Sequence, residues 1–195
     1  MGLIIVGLLF VLFRFDYTFV SANVNAEVTL DVLSDFVGYL LIWFGLEKSV
    51  DVNRWFKEAH SAATGLMVIT FVTLVSSLSF LLEPLLDSPD GQIFAILFYL
   101  VNYLVRIGGS ILFALSMVFM FMFASALGYS MQSQEKWFLC RAMYVFSIVY
   151  SALAIIFIVN QFINLPLPLD WIAAGINAVF LVFAYFTMNK IKELN

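Results

Sequence analysis

The sequence predicts an all-α, polytopic membrane bundle, and three observations carry that prediction. Apolar residues make up 64% of the chain and charged residues only 11%, with a mean hydropathy of +1.04. That balance leaves too few polar side chains to solvate a soluble domain. Long apolar runs recur from end to end, separated by short stretches that carry charge, Pro or Gly. At roughly 20 apolar residues per crossing, a chain of 195 residues holds about six spans and little else.

Residues 1–15 are almost wholly apolar and close on Arg14 and Asp16, so a first span is expected over 1–19. A cleaved signal peptide is the rival reading, helped by the small residues Ser21 and Ala22. It lacks a basic start, and Arg14 falls after the apolar core. Residues 20–28 read as an external loop carrying Glu27. Span two is expected over 28–46. On a helix there, Asp31, Asp35, Gly38, Ile42 and Gly45 would share one stripe. Acids and glycines on one face call for protein or water rather than lipid.

The charged stretch 48–60 contains Trp55 and Phe56, which predicts a short interfacial helix over 51–59. Span three follows over 61–82, and Glu83-Pro84 with Asp87-Ser-Pro-Asp-Gly91 ends it in turn chemistry. Residues 92–130 exceed one simple crossing. Gln92, Tyr99, Asn102, Tyr103 and Arg106 share a face, and Arg106-Ile-Gly-Gly109 interrupts the run. An interfacial helix over 92–105 before a span over 107–127 is preferred to one long tilted helix. Span five covers 137–163, with Tyr144, Ser147, Ser151 and Ala154 as a small, polar stripe for helix contact. A proline-bearing turn over 164–169 leads to span six over 170–188 and a short polar tail.

Orientation follows from the cations. With the N-terminus in the cytoplasm, Lys48, Arg54, Lys57, Lys136, Arg141, Lys190 and Lys192 fall inside, against Arg14 outside and Arg106 undecided. That asymmetry predicts N-in, C-in. No internal repeat is evident.

The residues that need a reason are polar groups at membrane depth. Asp35 would lie inside span two, where a carboxylate must be protonated, paired or hydrated. A first-turn acid favoured by the helix dipole is the bland alternative. Arg106, with Asn102 one turn away, is its natural ion-pair partner. Asp31, Asn160, Asn177 and Asp170 lie toward the outer ends of their spans, as interhelical glue or as the lining of an outward polar cavity. His60 is the single histidine and Cys140 the single cysteine, so neither a metal site nor a disulfide is expected. No triad, His-Glu-x-x-His or phosphate loop is present in the sequence. No cofactor is expected, and no nucleic-acid partner, since the basic residues are scattered.

The stretch Leu33-Ser-Asp-Phe-Val-Gly-Tyr-Leu-Leu-Ile-Trp-Phe-Gly-Leu46 resembles one in small, uncharacterised polytopic membrane proteins of Gram-positive bacteria. There a Leu-Pro-Asp-Phe-Ile-Gly-Tyr-like sequence follows a first hydrophobic segment; Ser34 stands here in place of the proline. The resemblance implies a multi-pass protein of a bacterial cytoplasmic membrane and no particular activity. The expected function is therefore non-catalytic: carriage of a small solute or ion, or an accessory role toward a membrane-protein partner or a second copy. An intramembrane enzyme using outer-side polar groups is the alternative.

Overall fold

The computed structural model describes the backbone of residues 2–12, 16–21, 26–31, 35–78, 91–163 and 168–192. Side chains are described over 2–12, 35–75, 100, 112–160, 163, 168–169 and 171–191. The architecture is a helical bundle of α1 (Gly2–Leu12), α2 (Asp35–Glu47), α3 (Arg54–Leu78), α4 (Gly91–Gln132), α5 (Trp137–Ile163) and α6 (Leu169–Lys192). Between α1 and α2 the chain forms an antiparallel two-stranded ribbon, β1 (Asp16–Ser21) against β2 (Ala26–Asp31).

The ribbon corrects the reading of the N-terminal quarter. Span one was expected to stay helical to residue 19, a loop to fill 20–28 and span two to begin at 28. Instead α1 ends at Leu12, and Tyr17 pairs with Leu30, Thr18 with Thr29 and Phe19 with Val28. Tyr17, Thr18, Phe19 and Val20 in β1, facing Val28 and Thr29 in β2, fit a pleated ribbon better than a helix turn. Helix α2 starts only at Asp35, so Asp31 sits on a strand and shares no helical stripe with Asp35.

Helices α1 and α2 pack directly on each other. A methyl group added at Gly7 would lie 2.5 Å from the Gly38 carbonyl oxygen, and one at Gly45 would collide with Ile4. The glycine stripe expected on α2 is therefore used, and its partner is α1. Close backbone approach through small residues is the usual way apolar helices associate where lipid removes the hydrophobic drive.

A tight turn over 48–53 joins α2 to α3, with Ser49 N–H donating to the Leu46 carbonyl at 2.7 Å. Asn53 caps α3 by accepting from Phe56 N–H at 3.1 Å. Its amide donates onward to Ser130 Oγ at 3.0 Å and to the Ala126 carbonyl at 3.2 Å, which ties this turn to α4. The separate interfacial helix expected over 51–59 is absent: Arg54 to Leu78 is one helix. Alanines and serines bridge the charged and apolar parts without any residue strong enough to stop the helix.

The break expected at 106–109 is absent as well. Helix α4 runs unbroken for 42 residues, about 63 Å by helical rise. Each interior glycine costs only about 1 kcal/mol relative to alanine, so Gly108-Gly109 is too weak a signal to end a helix flanked by apolar helix formers. Helix α4 ends instead in a turn where Lys136 N–H donates to the Met131 carbonyl and Glu135 takes a φ of 58°.

The core centres on α4. Phe119 and Phe123 stack in parallel, Phe123 meets Phe180 of α6 edge-on, and Tyr150 of α5 meets Phe180 at 90°. Ser125 on α4 donates to Ser147 on α5 at 3.0 Å, so part of the stripe predicted on α5 does serve helix contact. Tyr144, placed on the same stripe, is exposed and reaches Gln132 instead.

Among the described residues, four helical segments are long and apolar enough to cross a membrane: Arg54–Val75, Leu112–Gln132, Trp137–Asn160 and Trp171–Ile191. The chain is a membrane protein on this evidence. Helices α1 and α2 are shorter, about 17 and 20 Å, against a hydrocarbon core of about 30 Å. Of the turns expected over 83–91 and 164–169, residues 83–90 and 164–167 lie outside the described residues, while Gly91 already opens α4 and Leu169 opens α6.

Candidate functional site

The short helices leave a space that the long ones do not fill. A cavity of about 200 Å³ opens between α1, α2, α4 and α6. Val11 and Leu12 come from α1, Asp35 and Tyr39 from α2, Leu112, Phe113, Ser116, Met117 and Met120 from α4, and Ala173, Ala174 and Asn177 from α6. Two residues singled out in the sequence for separate reasons, Asp35 and Asn177, thus line one wall system.

Each polar group arrives by a local rule. Asp35 is the first residue of α2, where an acid is favoured by the N–H groups and dipole of the opening turn. It is half-buried, and among the described lining residues it is the one charged group. It does not lie inside a helix that starts at residue 28, as expected, because α2 begins at Asp35 itself. Tyr39 follows one turn later on the same side of α2 and is buried, its ring edge-on to Phe119.

Asn177 is 9% exposed, and its Oδ1 accepts a 2.9 Å hydrogen bond from the Tyr150 hydroxyl. That bond fixes the amide plane. Among the described residues the Asn177 NH₂ group has no partner, so it stands as a donor on the cavity wall. Ser116 donates to the Phe113 carbonyl at 2.7 Å and offers its lone pairs to the space. Met117 and Met120 supply polarizable thioethers, and Phe113, stacked on Phe157 at 3.9 Å, supplies an aromatic face.

The remaining candidates divide. Asn160, near the end of α5, does not line the cavity. The side chains of Asp31, Asn102, Arg106 and Asp170 lie outside the described residues, and with them the Asp35–Arg106 pair. The backbone does place Arg106 on the α4 stripe of Phe113, Met117 and Met120, at offsets of seven, eleven and fourteen. His60 is elsewhere, between α2 and α3, with its ring 5.3 Å from Trp43.

Sequence reading missed Tyr39, Ser116, Met117, Met120 and Tyr150. Tyr39 had a signal, being four residues after Asp35. The others did not, since a serine or methionine in an apolar helix reads as packing until its neighbours are known.

No protein-family model, no curated protein and no solved structure matches this chain.

Proposed function

We propose that this is a membrane-embedded, transporter-like protein that binds a small solute in the cavity shared by Asp35 and Asn177. The cavity itself carries the reading. Among the described residues it joins the Asp35 carboxylate, the Asn177 amide and the hydroxyl-bearing Tyr39 and Ser116 to an apolar wall, the usual composition of a small-molecule site.

Length arithmetic supports access from the side opposite the cations. Met120, Met117 and Leu112 stand about 18, 23 and 30 Å along α4 from Gln132. Lys136 follows Gln132 in the turn to α5, and the Asn53 bonds to Ser130 and Ala126 hold the Lys48-bearing turn at the same end. With that cation-bearing end inside, as the positive-inside rule requires, the cavity occupies the outer half of the bilayer. The start of α2 then falls at membrane depth. Four N–H groups of a helix start, and any non-helical backbone beside them, are tolerated there only against protein or water. A hydrated cavity supplies that surrounding.

The accessory reading needs a groove of small residues free for a partner. Gly7, Gly38 and Gly45 are instead occupied by the α1–α2 contact, which favours the solute reading. We assign no catalytic step.

The test is osmotic. Vesicles reconstituted with the protein are expected to swell faster than empty vesicles in gradients of small uncharged polar solutes such as erythritol, and Asp35→Asn to lose most of that gain while still folding. Equal swelling of wild-type, variant and empty vesicles sinks transport.

A further inference from the structure

We infer that the start of α5 binds an anionic phospholipid, in the leaflet at the cation-bearing end of the bundle, through Arg141 and Lys136. This surface lies about 18 Å along α4 from Met120 of the cavity, so its partner is separate from any solute there.

Position sets the problem. The apolar membrane-crossing segment of α5 runs from Trp137 to Asn160. Trp137, Arg141, Tyr144 and Ile148 share one stripe of it, at offsets of four, seven and eleven, and all four are exposed. Ile155 continues the stripe, and Phe138 and Val145 flank it on one side, exposed as well. Such a surface faces lipid, and Arg141 stands one turn inside it.

The protein supplies no counter-charge. Among the described residues the ion pair is Arg54–Glu58, and Glu135 pairs with neither Arg141 nor Lys136. A guanidinium at membrane depth without an anion is costly. Helix geometry offers the relief. Side chains on a helix lean toward its N-terminus, and α5 starts at the cation-bearing surface, so Arg141 reaches back to the level of lipid phosphates.

Charge and shape name the partner. Lys136, exposed and immediately before α5, adds a second cation within about 8 Å of Arg141 along the helix axis. A zwitterionic headgroup brings an ammonium that two cations repel, whereas a headgroup of net negative charge suits both. Gln132 Oε1 accepts from the Tyr144 hydroxyl at 3.2 Å, which leaves the Gln132 NH₂ group as a donor beside the stripe. Trp137 and Tyr144 are the aromatic types that settle at the membrane–water boundary, and Ile148 and Ile155 continue along the acyl chains.

The experiment counts lipids kept by the intact protein in native mass spectrometry, after release from nanodiscs of equal phosphatidylglycerol and phosphatidylcholine. Phosphatidylglycerol is expected to be retained several-fold over phosphatidylcholine. Arg141→Gln and Lys136→Gln are each expected to lower its retention about fivefold, and Arg141→Lys to lower it less. Arg54→Gln removes a cation of the same end that Glu58 already pairs, and is expected to leave retention unchanged. Equal retention of the two lipids, or equal loss in Arg54→Gln and Arg141→Gln, overturns the site. An excess of inorganic phosphate is expected to leave the lipid bound; displacement by phosphate overturns the lipid as the partner.

A second measurement leaves both cations in place. Phosphatidylglycerol brominated near the headgroup end of its acyl chains is expected to quench the protein's tryptophan fluorescence more than brominated phosphatidylcholine does, and Trp137→Phe to remove the difference. Equal quenching of the wild-type protein by the two lipids overturns the site. Circular dichroism and gel filtration of each variant separate loss of lipid from loss of fold.

Discussion

At the scale of single residues, the Tyr150–Asn177 hydrogen bond joins α5 to α6 beside the cavity. It is buried on both sides, and its direction leaves the amide N–H groups facing the space. Tyr150→Phe is expected to destabilise the protein by about 1 kcal/mol, because Asn177 Oδ1 loses its donor. Combining it with Asn177→Leu should cost less than the sum of the two single changes, and a double-mutant cycle of unfolding measurements in detergent reads the coupling. Glu135 offers a second residue-scale check. Its φ of 58° places a side chain in the left-handed region that glycine occupies freely. Glu135→Gly is expected to stabilise the turn after α4 by a few tenths of a kcal/mol to about 1 kcal/mol, seen as a raised midpoint in thermal unfolding.

At the scale of elements, the α1–α2 pair creates the site by being too short. Its packing depends on Gly7 and Gly38, so Gly7→Val is expected to cost about 1–3 kcal/mol by overpacking, measured by thermal unfolding, and to lower solute binding with it. Asn53→Ala removes the cap of α3 and two bonds to α4, and should cost about 1–2 kcal/mol in the same measurement while leaving the cavity wall chemically intact. Much of this level could be read from the sequence. The apolar runs predicted helices in the right places for α3, α5 and α6, and the glycines on α2 did mark a helix contact. The ribbon was missed because Tyr17 to Val20 and Val28 to Leu30 lie next to the long apolar runs 1–15 and 36–46, whose hydropathy drowns the β-preference of the shorter stretches. The supposed break at Gly108-Gly109 failed for the opposite reason: a local glycine signal was given more weight than about 1 kcal/mol per residue warrants.

At the scale of the whole molecule, the bundle brings Asp35 and Asn177 to one space although they stand 142 positions apart in sequence. Nothing local could announce that meeting. Each residue was expensive enough at membrane depth to be noticed, but the wall they share with Ser116, Met117 and Met120 is a product of how four helices pack. The charge pattern belongs to this scale too. Cysteines placed at Lys48 and Lys136 should both be labelled from the cytoplasmic side alone, since the cations gather at one end of the bundle; labelling from opposite sides would reverse the assigned orientation of the cavity.

Water in the cavity is the claim on which the rest depends, and the chain carries its own controls for it. Met117 and Met120 line the space, whereas Met131 and Met143 are buried in the packed core away from it. Hydroxyl-radical footprinting of the intact protein in nanodiscs, read by mass spectrometry, compares the four thioethers directly. The account predicts that Met117 and Met120 oxidise several-fold faster than Met131 and Met143; equal, slow oxidation of all four would contradict it.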